Sequence, residues 1–154
     1  MTMRIIERRI VGSLLVSQDD HILLGYKDPK WGGRYSDCWV LPGGGVDDNE
    51  TDIEALYREI KEEVDLDITP YESVLIDDSL TGENETIHNE TGEPVTFKMQ
   101  FLDYLTKIPK NAKDIPVTAK DDLAKVEWIP FDKLSEYTLS PSTRDLLVSH
   151  GFMK

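Results

Sequence analysis

The sequence predicts one domain of the α/β class, rich in strands with helices between them, and three observations lead there. At 154 residues and 39% hydrophobic, the chain suits a single core, burying on the order of 70% of its unfolded surface. Val95, Phe97, Met99 and Phe101 alternate with Thr96, Lys98 and Gln100, which is the period of a half-buried strand. Between Asp52 and Val64 the period changes: Ile53, Leu56, Ile60 and Val64 fall on one face of a helix. The domain is expected to span residues 1–154, with no internal repeat or low-complexity tract.

The elements follow in order. Ile5 to Val16 reads as a long strand, Gln18 to Asp20 as a turn, and Ile22 to Tyr26 as the returning strand. Residues 27–36, with Pro29, Gly32 and Gly33, read as a loop. Cys38 to Leu41 is a short strand entering a glycine turn at Gly43-Gly44-Gly45. Thr51, with Glu54 three residues on, is a capping-box start for the helix. Ile68 to Ile76 reads as a strand, and Asp77 to Glu93 as an acidic hairpin tip or loop. Leu123 to Trp128 is the last strand and Phe131 to Tyr137 a short helix. Ser140 as cap and Pro141 at the first position open a terminal helix, closed by Gly151.

Glu59, Glu62 and Glu63 lie three and four residues apart, so the helix is expected to carry them on one stripe, away from its apolar face. Like charges about 6 Å apart repel by roughly 3 kcal/mol at an effective dielectric of 20. Near them in sequence only Arg58 and Lys61 offset this. A divalent cation such as Mg²⁺ or Mn²⁺ would turn repulsion into coordination.

The spacing resembles a family signature. Gly44, five residues, Glu50, seven residues, Arg58-Glu59, Ile60, one residue, and Glu62-Glu63 are similar to the Nudix box, with five charged positions and a glycine in register. Asp65 stands where the family has glycine; just past a helix end Asp enters the left-handed region at a modest penalty. The resemblance implies an α/β/α sandwich with a mixed β-sheet. It also implies metal-dependent hydrolysis of a nucleoside diphosphate linked to another moiety, with Mg²⁺ or Mn²⁺ as cofactor.

By the same resemblance, Glu59, Glu62, Glu63 and the Gly43 carbonyl are the metal-ligand candidates, and Gly44 lets substrate approach the backbone. Arg58 is expected to face away from the metals or to clamp a carboxylate, with Glu50 as its partner. The general base stays open between Asp122, six residues before Trp128, and Glu62 or Glu63; Asp122 reads equally as a turn residue. A Nudix-fold nucleotide-binding or regulatory module is the alternative to an enzyme, and intact Arg58, Glu59, Glu62 and Glu63 favour catalysis. Family members are often dimers, so a homodimer is a further expectation.

Charge narrows the partners. The net charge of −13 argues against nucleic acid, since phosphate backbones are gripped by basic patches. Between Gly43 and Ile68 ten acids face two bases, so a phosphorylated ligand reaches that helix through bridging cations. Lys27 and Arg34 are the candidates to hold its distal phosphates, with Arg8, Arg9 and Lys30 behind them. Without an apolar run of about 18 residues or a basic-apolar leader, neither membrane nor export is expected, and a cytoplasmic location follows. Cys38, alone and without an activating motif, reads as a spectator thiol. Trp31 and Tyr35 are candidates to stack on a base, whereas Trp39 and Trp128 read as core.

Overall fold

A computed structural model describes residues 4–31, 36–88 and 90–154, and of Trp31 the backbone alone. Its centre is a pair of long parallel strands. β1 (Arg4–Ser17) runs beside β7 (Pro94–Ile108) in unbroken register, from Arg4 opposite Val95 to Ser17 opposite Ile108. Antiparallel strands flank the pair. β2 (His21–Lys27) follows β1 through a tight turn and carries β3 (Cys38–Val40) and β8 (Lys125–Pro130). β5 (Ser73–Asp77) and β6 (Thr81–Ile87) both pair with β7.

Alternation along these strands sends successive side chains to opposite faces, and each face has its own helix. Val11, Leu15 and Leu23 meet Ala55, Leu56, Ile60 and Val64 of α1 (Asp52–Val64). Leu14, Ile22 and Leu24 meet Leu146 and Leu147 of α2 (Pro141–Ser149) on the other side. The result is the expected α/β/α sandwich around a mixed sheet.

α1 is bounded as its sequence implies. Thr51 and Glu54 close both halves of the capping box, and Asp65 takes the left-handed conformation at φ 55°. At α2, Ser140 occupies the cap position, but its hydroxyl donates to Thr143 Oγ1 at 2.9 Å and accepts no backbone N–H of the helix. Trp39 packs edge-on to Tyr137 with centroids 5.2 Å apart, and Trp128 Nε1 donates to the Ile115 carbonyl. Both are partly buried, as core-edge aromatics.

Three expectations need correction. The glycine segment is not a turn: Gly43–Gly45 form β4, antiparallel to β1, with Gly43 opposite Gly12. A Cβ on Gly43 would lie 2.0 Å from the Val11 carbonyl, so the glycine permits close pairing of two backbones. The strand expected from Ile68 begins only at Ser73. Asp67 accepts from Thr69 N–H and Oγ1, Pro70 has no N–H to give a ladder, and Ile68 plugs the core beneath α1 from a turn. Asp77 to Glu93, expected as an acidic hairpin tip or loop, contains a whole strand of a hairpin, β6, whose mostly polar and exposed residues carry no hydrophobic period and are held by the ladder to β7.

Candidate functional site

α1 places its carboxylates beside the glycine strand. Glu63, 5% exposed, accepts the Gly43 N–H at 2.6 Å. It also shares a hydrogen bond with Asp122, which lies 3.4 Å from Lys27 Nζ. Burial, then the Asp122 carboxylate, push the Glu63 carboxyl well above the usual range. Burial would raise Asp122 as well, but its bond with Glu63 and the Lys27 ammonium hold it low. Two adjacent buried carboxyls thus favour a shared proton over two neighbouring negative charges.

Glu59 faces Gly44 so closely that a Cβ there would sit 2.4 Å from the Glu59 carboxylate. Burial raises Glu59, and Arg58 partly offsets the rise. Arg58 is the clamp of the site. It grips both Glu50 oxygens, donates to the Gly45 carbonyl at 3.0 Å, and reaches Glu59 at 2.9 Å and Glu62 at 3.2 Å. That fork-shaped contact holds Glu50 down to about 2, helped by the Asp47 N–H.

The three glutamates do not share one stripe as closely as their spacing suggested. Residues three and four on from Glu59 rotate to opposite sides of it, so Glu63 turns into the protein while Glu62 points outward against Arg58 with its side chain 48% exposed. Glu59 and Glu63 line a cavity of about 480 Å³ together with Gly43, Gly44, Lys27, Asp121 and Asp122. Among the described residues no three Asp, Glu, His or Cys side chains converge as a finished cage. The donors are nevertheless all oxygen, which suits a hard cation, and Arg58 holds Glu62 on the outer side of Glu59.

Of the other sequence candidates, Arg34 and Tyr35 lie outside the described residues, as does the side chain of Trp31. Arg9 is paired with Asp52 at 2.5 Å and Arg8 lies over the Phe97 ring, neither lining this cavity. Cys38 is partly buried, and burial, then Asp37, raise its thiol, as suits a spectator. Two acids that line the cavity escaped the sequence reading. Asp121 sits beside Asp122 in the turn before β8. Asp103 holds the next odd position after Phe101 in the alternating strand, a charge in apolar phase that could have been noticed.

The NUDIX domain family model matches residues 7–148. The chain belongs to the Nudix family. Among its relatives, the m7GpppN-mRNA hydrolase of Saccharomyces cerevisiae is 27% identical over 121 residues, which is 76% of this chain and 11% of the yeast protein. The RNA pyrophosphohydrolase of Halorhodospira halophila is 44% identical over 57 residues, covering 36% of this chain and 28% of that one. This Nudix chain thus spans well under half the length of the curated relatives it matches. In fold it is similar to the NUDIX domain of Shewanella oneidensis NrtR, solved with ADP ribose, at a TM-score of 0.67 and 16% identity over 94% of this chain and 86% of that one. It is also similar to the E. coli dihydroneopterin triphosphate pyrophosphohydrolase, at a TM-score of 0.63 and 18% identity, covering 92% of each.

Proposed function

We propose that residues 1–154 act as one Nudix hydrolase unit that cleaves a phosphoanhydride bond in a nucleoside diphosphate linked to another moiety. One observation carries this reading: Glu59 and Glu63 open into a single cavity across the side-chain-free strand Gly43–Gly44, with Lys27 and Asp122 on the same wall. Glu59, Glu62, Glu63 and the Gly43 carbonyl would hold Mg²⁺ or Mn²⁺, which, when bound, neutralises charge on the diphosphate oxygens.

The chain's own residues do the rest. Arg58 fixes Glu50, Glu59 and the β4 carbonyl in one frame, so the acids meet substrate without reorganising. Gly44 leaves room for a phosphate to approach the backbone. Lys27 supplies a positive charge to a distal phosphate once it leaves Asp122. Asp122, ionised and touching Glu63, is placed to accept the proton of the attacking water.

The relatives named for messenger RNA caps and RNA pyrophosphates make a 5′-phosphorylated RNA end a second substrate class. For an RNA end the contacts concentrate at the terminal phosphates, so the chain's net charge of −13 does not decide between it and a free nucleotide. The test is a substrate panel with Mg²⁺: nucleoside triphosphates, dinucleotides, sugar nucleotides and a triphosphorylated RNA oligomer. A phosphate-containing product is expected, with Glu62→Gln and Glu63→Gln slower by several orders of magnitude. Equal turnover in both variants would reject the site, and heat stabilisation by a nucleotide without turnover would leave a binding module instead.

A further inference from the structure

Asp103 is a buried acid that the cleavage chemistry does not use. It is 6% exposed, in the middle of β7 opposite Gly12 of β1, and no described residue hydrogen-bonds its carboxylate. Among the described residues, every fully enclosed side-chain oxygen or nitrogen has a partner. The Asp103 oxygens therefore keep their access through the cavity they line, the same one that Glu59 and Glu63 enter. Gly12, its partner across the ladder, also lines the cavity and adds no side chain there.

The surroundings are those of a recognition pocket. Met99 and Phe101 precede Asp103 at every second position of β7, and both line the cavity, giving the acid an apolar wall. The titratable groups that act on it are Asp77 and His150, themselves paired at 3.0 Å. Neither hydrogen-bonds it: burial first, then Asp77, raise its carboxyl to about 7, and His150 offsets only part of this. A carboxylate without donors in such a place is costly, and a ligand carrying N–H donors removes that cost.

We propose that Asp103 reads the base of the substrate, its two oxygens accepting the adjacent N1–H and 2-amino donors of a guanine-type edge while the ring lies against Phe101 and Met99. The inference rests on the nucleotide reading of the site. Two side-by-side acceptors match two side-by-side donors, and guanine alone among the standard bases offers that pair on its pairing edge. Adenine and cytosine set a ring-nitrogen acceptor beside their amino donor, which a carboxylate repels. A ribose diol also offers two donors, but the apolar wall favours a flat ring.

The experiment is calorimetric titration with mononucleotides, which carry no anhydride to cleave, in Mg²⁺ and well above pH 7. GMP is expected to bind tenfold or more tighter than IMP, which lacks the 2-amino group, and than AMP. In Asp103→Asn, whose amide offers one donor and one acceptor, the preference for GMP over AMP should vanish or reverse. Equal affinity of the unaltered protein for GMP and IMP overturns the proposal without any variant. So does an unchanged GMP-to-AMP ratio in Asp103→Asn. A selective loss with 2′-deoxy-GMP, IMP binding as well as GMP, would assign Asp103 to the sugar and overturn it too. Failure of all the nucleotides to bind would reject the nucleotide reading itself.

Discussion

Glu63 and Asp103 are both carboxyls at least nine-tenths buried, and their partners set them apart. Glu63 has the Gly43 N–H and Asp122, whereas Asp103 depends on solvent in the cavity. Spacing made Glu63 legible, because a helix fixes its neighbours locally; its burial was not legible, because that needed the glycine strand folded over it. Asp103 is legible as a charge out of phase, but its place is not: only the parallel pairing with β1 sets it opposite Gly12 and into the cavity. Its raised carboxyl gives a pH prediction. The folded value of about 7 lies above the unfolded one, so the folded state binds more protons between about pH 4 and 7. Stability from this group is then full below about pH 4 and is lost as pH rises through 7, by at most about 4 kcal/mol. Asp103→Asn should melt near the unaltered protein at pH 4 and several degrees higher at pH 8. Thermal unfolding across that range checks it, and a constant gap would contradict it.

At the scale of elements, α1 was legible end to end, since its cap, apolar stripe and left-handed stop are all local signals. β6 was not, because its residues are mostly polar, with Gly82 and Asn84 only partly buried, and the ladder to β7 defines it. β4 was misread as a turn because three glycines carry no side-chain period. Two substitutions separate local from pairing contributions. Thr51→Ala removes the cap bond to Glu54 N–H and should cost about 1 kcal/mol. Gly43→Ala drives a methyl into the Val11 carbonyl and should cost more than about 3 kcal/mol. Denaturant midpoints measure both; a Gly43→Ala protein as stable as Thr51→Ala would show that β4 yields easily.

For the whole molecule, two cores pack on opposite faces of one sheet, and β4, paired to the middle of β1, sets its glycines against the acidic side of α1. Class and layers could be anticipated from period and resemblance, but strand partners could not, since apolar periodicity along a strand does not name its neighbour. No helix among the described residues is long and apolar enough to cross a membrane. Ten acids against two bases between Gly43 and Ile68 give this end of the molecule a strong call for cations. Titration calorimetry with Mn²⁺, alone and beside a mononucleotide, tests the proposed cation site most directly. Saturable uptake is expected in the unaltered protein and its loss in Glu59→Gln and Glu63→Gln with the fold intact. No uptake under either condition, or uptake unchanged by both substitutions, would contradict a divalent-cation site on α1.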